Sequence, residues 1–278
     1  MSTVDRAFGF TSLHRVGVSV IRWAEDIGAL TLQLWAAIWK IPRVLPVIGK
    51  RRRWTDAVRQ MLAIGVSALP MVSIMSLCLG FVVALEGAAE LRRFGGLQYV
   101  VDLVVIGFTR ELAALITGIA VSGRSASAIA AEVGTMLVTE EMDTLRVMGL
   151  NPIEFTLAPK FLGALITIPC LAILSTLCGI FSGYFFLAFS IDMNFLVYSR
   201  EVLESIQLRD VWLTLIKSVV FATIIVQVGY LAGLRASGEP ESVGRATTIA
   251  VVRSTFLVIV ADLAATSFFY LMGWSAAG

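Results

Sequence analysis

The stretch RSASAIAAEVGTMLVTEEMDTLRVMGLNP, residues Arg124–Pro152, is a polar segment with a long hydrophobic run on each side. Its second half has the signals of a short helix. Thr139 can cap the start, acidic residues follow in the first turn, and Gly149 can take the left-handed conformation at the end. An acid-led amphipathic helix between two hydrophobic runs is suited to docking on a partner protein, and a solvated connector explains the same spacing equally well. The polar residues that would face a docked partner are Glu132, Thr139, Glu140, Glu141, Asp143 and Arg146.

The hydrophobic runs on either side assign the chain to the membrane. Hydrophobic residues make up 58% of the 278 residues and charged residues 15%, whereas soluble domains carry roughly a quarter charged residues. Several uncharged runs reach the ~20 residues that a bilayer core requires, and they are continuous rather than alternating, which favours helices over a β-barrel. The GxxxG spacing of Gly179 with Gly183, and of Gly229 with Gly233, predicts close helix approach. We predict an all-α polytopic membrane protein with five transmembrane helices at about residues 60–85, 101–122, 161–189, 211–234 and 254–274.

The N-terminal segment, residues 1–58, contains an amphipathic helix at about residues 20–40. Successive residues placed 100° apart put the charged side chains on one side and the aliphatic side chains on the other. Four charges within nineteen residues make crossing the bilayer costly, so we predict that this helix lies in the membrane interface. A core-facing helix of a soluble N-terminal domain is the alternative. Residues 59–278 are predicted to form the membrane domain.

Lys and Arg are distributed unequally between the two sides that five spans define. The side with the N-terminal segment and Arg124–Pro152 carries 16 of them, and the other side carries 4. Positively charged loops remain in the cytoplasm. We therefore predict a cytoplasmic N-terminus, a cytoplasmic segment at residues 124–152 and a periplasmic C-terminus.

Charged residues also occur inside three predicted spans, where each would cost a few kcal/mol if it faced lipid. Arg110 and Glu111 lie near the middle of the second span, after Asp102, and Lys217 and Asp262 lie in the fourth and fifth. Since Arg110 and Glu111 point about 100° apart, each needs a partner elsewhere. The pair is either a structural lock between helices or a polar patch in a cavity wall that contacts a charged or zwitterionic headgroup, and Asp262 alone is more typical of a structural role. The candidate partners are Glu86, Lys217 and Asp262.

Signatures of catalysis and metal binding are absent from the sequence. His14 is the single histidine, which excludes an HExxH motif and histidine-rich metal sites. No GxxxxGK[ST] motif occurs, so the chain cannot bind ATP through a P-loop of its own. We therefore predict a protein that is not an enzyme, holds no metal or cofactor and binds no nucleic acid. Another chain must bind any ATP that is used.

The stretch RELAALITGIAVSGRSASAIAAEVGTMLVTEEMDTLRVMGLNP, Arg110–Pro152, resembles the signature of the MlaE family of ABC-transporter permeases, which includes Mce-associated permeases. The resemblance continues in APKFLGAL (Ala158–Leu165), IKSVVFA (Ile216–Ala222) and GEPESVGRATTIAVVRS (Gly238–Ser254). It covers the chain from about residue 60 to its end, and the ordered combination is highly specific. It identifies the chain as a lipid-transport permease subunit.

The resemblance implies a homodimer of five-span subunits in the bacterial inner membrane, with two cytoplasmic ABC ATPase subunits that bind the ATP. It also implies a periplasmic MCE-domain ring and movement of phospholipid or a related lipid between the inner and outer membranes. Residues 124–152 would hold the coupling helix that docks on the ATPase. Arg110 and Glu111 would lie at the lipid cavity, and Asp102, Lys217 and Asp262 would be structural polar residues. Glu86 would stand at the cavity mouth, where phospholipid-trafficking members often have glutamine, so headgroup preference stays open.

Two other functions are compatible with the sequence. An ion-coupled secondary transporter would use Asp102, Glu111 and Asp262 as proton carriers, although no convincing internal repeat supports this class. A membrane anchor that transports nothing would only assemble other subunits. Flux without an ATPase would establish the first alternative, and an undisturbed cell envelope after replacement of Arg110 and Glu111 would support the second.

Overall fold

The computed structural model describes residue 55, residues 58–236 and residues 239–273. In these ranges the regular elements are helical, and five helices are long and apolar enough to cross a membrane. Each overlaps one predicted span, so the prediction of a five-span all-α protein is confirmed. The predicted interfacial helix at residues 20–40 lies outside the described residues. The five helices are called spans 1 to 5 in chain order: Val58–Arg93, Leu97–Val138, Phe155–Ile191, Leu208–Leu234 and Pro240–Leu271.

Three of the spans contain π-helical turns, in which the hydrogen bonds run from i to i+5 and the helix widens. Span 2 has two of them, Phe108–Leu112 and Ser122–Ala126. Spans 1 and 3 each have one near their start, and spans 4 and 5 are α-helical from end to end. The π turns of spans 1 and 3 are Leu62–Val66 and Ile153–Leu157, and the α-helical segments of spans 1 to 3 are Leu69–Arg93, Val100–Gly107, Ala113–Val121, Ser127–Val138 and Ala158–Ile191.

The polar segment Arg124–Pro152 is more helical than the sequence predicts. Its first half continues span 2 as far as Val138, so the predicted loop at residues 124–152 is a connector only from Thr139 onward. The first half is rich in alanine, which has a high helix propensity, and this explains why it forms a helix instead of a loop. At 42 residues, span 2 is ~63 Å long and extends beyond a bilayer core of about 30 Å.

The short helix Glu141–Val147 in this connector begins differently from the prediction. The Thr139 hydroxyl donates a hydrogen bond to the Thr135 carbonyl oxygen (3.0 Å), so it ends span 2 instead of capping the next helix. Glu140 precedes the first turn and has a left-handed backbone with φ 57°. The predicted positions of Thr139 and Glu140 are therefore wrong. The predicted stop is confirmed, because Gly149 has φ 72°.

At the opposite end of the bundle, the polar region between spans 3 and 4 folds into an amphipathic helix, Phe195–Ser205. Tyr198 is buried and donates a hydrogen bond to a backbone carbonyl of span 3 (2.6 Å). Burial raises the pKa of the Tyr198 phenol. The Ser205 hydroxyl donates to the carboxylate of Asp102 near the start of span 2. These two bonds fix the helix against spans 2 and 3.

Span 4 is the centre of the bundle, and its residues from Ile225 to Gly233 are buried on every side. A Cβ atom added to Gly229 would lie 2.9 Å from the Ala126 carbonyl oxygen of span 2, and one added to Gly233 would meet the Ala130 carbonyl oxygen at 2.8 Å. The GxxxG spacing therefore does mark a close helix contact, as the sequence predicts. Spans 1 and 5 are the least buried.

Span 1 packs chiefly against span 3, and glycines allow the two backbones to touch. A Cβ atom added to Gly80 would overlap the Gly179 carbonyl oxygen, and one added to Gly179 would overlap the ring of Phe108 from span 2. Three spans therefore meet at a point where no larger residue fits.

We expect replacement of Gly80 by alanine to destabilise the protein by about 1–3 kcal/mol, because the added methyl group meets backbone that cannot move cheaply. The measurement is the melting temperature of the purified protein in detergent. Gly244→Ala is the matched control, since its Cβ would meet nothing within 4 Å and it gains the same helix propensity. Equal melting temperatures for the two variants would contradict the contact between spans 1 and 3.

Candidate functional site

Lys217 is the centre of a charged cluster that three spans form. Its side chain is 2% exposed, and Nζ lies 2.5 Å from Oε2 of Glu111 in span 2 and 3.1 Å from Oδ1 of Asp262 in span 5. Thr266 accepts a hydrogen bond from Nζ (2.7 Å) and donates one to Oε2 of Glu111 (2.9 Å). One ammonium group is therefore shared by two carboxylates and a hydroxyl from neighbouring helices.

The backbone of span 2 also contributes to this cluster. Arg110 and Glu111 belong to the π turn Phe108–Leu112, and the Arg110 carbonyl accepts a hydrogen bond from Lys217 Nζ (3.3 Å). π turns occur frequently at functional sites, where they break the regular i to i+4 pattern of the helix. A backbone carbonyl and a side-chain carboxylate of span 2 thus bind the same lysine.

Arg110 pairs with an acidic residue that the sequence analysis did not single out. Its Nε lies 2.9 Å from Oδ1 of Asp210, which is 1% exposed in the first turn of span 4. Arg110 and Glu111 therefore take different partners, as their divergent directions predict. Asp210 was missed because it lies one residue before the predicted fourth span, and Thr266 was missed because it carries no charge.

The cluster lies inside the membrane-spanning part of the bundle. Lys217 is in span 4, which starts at Leu208, and Asp262 is in span 5, which ends at Leu271. At 1.5 Å per residue, each lies ~14 Å from the same end of the bundle. This end is the one opposite to the short helix Glu141–Val147.

Arg110 and Glu111 reach the surface of the bundle, whereas Asp210 and Lys217 are buried. Their side chains are 24% and 37% exposed, and that of Asp262 is 13% exposed. A charged group that faces hydrocarbon is expensive, so such residues face other protein or a water-filled cavity. The exposed sides of Arg110 and Glu111 therefore require protein or water next to them.

An apolar cavity of about 130 Å³ lies between spans 2, 3 and 4. Thr109 and Val211, the sequence neighbours of the paired residues, form part of its wall, and span 3 contributes side chains such as Leu177. The three threonines of the wall donate their hydroxyls to backbone carbonyls. The cavity therefore presents an apolar surface, and the residues that adjoin Arg110 and Asp210 in sequence form part of it.

A further interhelical ion pair lies at the other end of the bundle, at the base of the connector. Lys160 is 3% exposed, and its Nζ lies 2.5 Å from Oε1 of Glu132 in span 2. The two residues flank the connector, so their contact fixes its base. Half of the Glu132 side chain is exposed, and its contact with a partner protein stays a prediction.

The short helix Glu141–Val147 has one buried and one exposed face. Met142 and Leu145 are buried against the core, while Asp143 and Arg146 form an exposed ion pair of 2.8 Å. Apolar residues that follow the helix are exposed as well. An apolar patch with a charged rim is the usual composition of a protein interface. The exposed charged and apolar side chains from Glu141 to Leu150 are Glu141, Asp143, Arg146, Val147, Met148 and Leu150.

Two predicted site residues lie apart from the central cluster. Asp102 binds Ser205 of the amphipathic helix. Glu86 is exposed in span 1 and takes part in none of the ion pairs or hydrogen bonds of the described residues. Lys217 and Asp262, predicted as structural polar residues, lie at the centre of the cluster. Within residues 58–236 and 239–273, no group of three or more His, Cys, Asp or Glu could hold a metal ion.

Known proteins resemble this chain over most of its length. The family model described as Permease MlaE matches residues 57–268. A probable ABC transporter permease protein of Rickettsia prowazekii is 33% identical over 260 residues, which cover 92% of this chain and 97% of that protein. The intermembrane phospholipid transport system permease protein MlaE of Haemophilus influenzae is 27% identical over 274 residues, 94% of this chain and 98% of that protein. The chloroplastic protein TRIGALACTOSYLDIACYLGLYCEROL 1 of Arabidopsis thaliana is 31% identical over 229 residues, 82% of this chain and 65% of that protein.

We expect Lys217→Met to lower the stability of the protein by about 3–5 kcal/mol, because it leaves two carboxylates without their shared cation. The measurement is the melting temperature of the purified protein in detergent. The control is the triple variant Lys217→Met with Glu111→Gln and Asp262→Asn, which carries no charge at these positions and should recover most of the loss. A single variant as stable as the triple variant would contradict the shared ammonium group.

Proposed function

The chain belongs to the MlaE family of ABC transporter permeases, and we propose that it moves phospholipid or a related lipid between the inner and outer membranes of a bacterium. A separate ATPase subunit supplies the energy, because a permease subunit has no ATPase domain of its own. The Haemophilus influenzae relative, whose name describes intermembrane phospholipid transport, supports this choice of substrate.

The observation that carries the proposal is the charged cluster around Lys217, with Arg110 and Glu111 partly exposed at its edge. A phospholipid headgroup needs charged partners when it leaves the membrane surface. The guanidinium of Arg110 has the donor geometry that binds phosphate through paired hydrogen bonds. The apolar cavity between spans 2, 3 and 4 offers a surface for an acyl chain. Glu86 would stand at the mouth of the lipid cavity.

A homodimer is the assembly that this geometry favours. Arg110 and Glu111 are partly exposed inside the membrane-spanning part of the bundle. In a single copy of the chain these charged side chains would face hydrocarbon, which is costly. A second copy that covers these side chains would enclose a polar, lipid-binding cavity between the two protomers. The wide exposed faces of spans 1 and 5 leave apolar surface for such a contact.

The distribution of Lys and Arg supports a cytoplasmic position for the Glu141–Val147 helix and a periplasmic position for the opposite end, in the inner membrane. The helix would then be the coupling helix that docks on the ATPase through its exposed acids and the apolar patch beside them. A periplasmic MCE-domain protein would bind the opposite end. The exposed Leu196 and Leu203 of the amphipathic helix offer apolar surface there.

We expect the double variant Glu141→Lys and Asp143→Lys to lose co-purification of the ATPase, because it reverses the charge on the docking face. Membrane insertion, followed by fractionation, should be unchanged. The control pair Glu90→Lys and Glu204→Lys reverses two exposed acids at the opposite end, each of which pairs with an arginine as Asp143 does. Co-purification that survives in the Glu141 and Asp143 variant would place the docking surface elsewhere.

Lipid transport can be measured with the complex, purified with its ATPase, in vesicles that hold a fluorescent phospholipid. We expect ATP-dependent transfer to acceptor vesicles, reduced at least about tenfold by Arg110→Ala with Glu111→Ala, a loss that corresponds to about 1.4 kcal/mol. Glu90→Ala is the surface control. Transfer driven by an ion gradient without ATPase would instead establish a secondary transporter, and unchanged transfer in the double variant would remove the charged cluster from the lipid path.

A further inference from the structure

The charges of the central cluster do not cancel. Arg110 is neutralised by Asp210, at 2.9 Å. Lys217 lies between two carboxylates, Glu111 and Asp262. With the acidic and basic groups ionised, one negative charge is left over in a membrane-embedded site. A ligand that brings a positive charge would compensate it.

Among the three carboxylates of the cluster, Glu111 is the most accessible. Asp210 and Asp262 are 1% and 13% exposed, and the Glu111 side chain is 37% exposed. Within this carboxylate, Oε2 takes the short contact with Lys217 (2.5 Å) and a hydrogen bond from Thr266. Oε1 receives only the longer contact with Thr266 (3.1 Å). Since each carboxylate oxygen has two lone pairs, Oε1 keeps room for a further donor.

A positive group lies beside this acceptor on the same turn. Arg110 and Glu111 are successive residues, whose Cα atoms are about 3.8 Å apart, and both side chains are partly exposed. The surface therefore offers a guanidinium and a carboxylate from successive residues of one turn. A zwitterionic headgroup has the complementary pair, a phosphate and an ammonium group joined by a short linker.

We propose that this site selects zwitterionic phospholipids whose headgroup carries an amine, with Glu111 binding the ammonium group and Arg110 the phosphate. This inference rests on the proposed lipid transport and adds the class of headgroup. A headgroup with a phosphate and no amine would add a second uncompensated negative charge beside Glu111. Like charges in a site of low dielectric repel each other strongly.

The test uses the purified complex, equilibrated with vesicles of equal parts phosphatidylethanolamine and phosphatidylglycerol. Lipids retained after size-exclusion chromatography are quantified by mass spectrometry. We expect phosphatidylethanolamine to be enriched over phosphatidylglycerol by about tenfold, the ratio that corresponds to about 1.4 kcal/mol. Glu111→Gln should retain lipid and lose the enrichment, and Glu90→Gln, at an exposed position in span 1, should keep it.

A second test changes the lipid and keeps the wild-type protein, so its result does not depend on whether a variant folds. In N-acetyl phosphatidylethanolamine the amine is neutral while the phosphate is kept, so wild-type protein should not enrich this lipid over phosphatidylglycerol. Equal retention of phosphatidylethanolamine and phosphatidylglycerol would overturn the headgroup inference and leave lipid transport standing. Enrichment that persists in Glu111→Gln would overturn the role of Glu111. Retention and transfer of neither lipid would overturn the proposed function itself.

Discussion

The ammonium group of Lys217, shared by Glu111 and Asp262, joins spans 2, 4 and 5 inside the membrane-spanning part of the bundle. Burying three charges is expensive, and their attraction offsets this only when the geometry is good and further hydrogen bonds are made. Thr266 and the Arg110 carbonyl provide those bonds. A well-packed apolar cluster would often be equally stable. Stability alone therefore does not require charged residues at this position.

The local structure of span 2 makes this site possible. Its π turn Phe108–Leu112 carries both Arg110 and Glu111, and two successive carbonyls of the turn accept hydrogen bonds from span 4. The donors are Thr214 and Lys217, three residues apart on one face of that span. Close packing elsewhere leaves little freedom for these helices to shift, because glycines bring the backbones of spans 2 and 4 into contact. The charged groups of the cluster are thus held in place by backbone hydrogen bonds as well as by contacts between side chains.

Hydrophobicity alone was sufficient to predict the five spans, because strongly hydrophobic runs of about 20 residues are typical of transmembrane helices. It also exposed Lys217, since a lysine within such a run requires a partner. Asp210 could not be recognised in the same way, because it stands at a span boundary where an exposed acid is ordinary. The prediction that Thr139 caps the short helix failed for a different reason. Its sequence context fits a helix cap, but the preceding helix continues to Val138 and uses the hydroxyl at its own end.

Span 2 connects the charged cluster and the connector as one continuous helix. From Glu111 at the charged cluster it runs to Val138, ~40 Å away, where the connector with the Glu141–Val147 helix begins. The Glu132–Lys160 pair fixes the base of this connector to span 3. A force applied to the short helix would therefore reach spans 2 and 3 together. The π turn Ser122–Ala126 lies between the two regions, where an irregular helical turn bends more readily than the α-helix on either side.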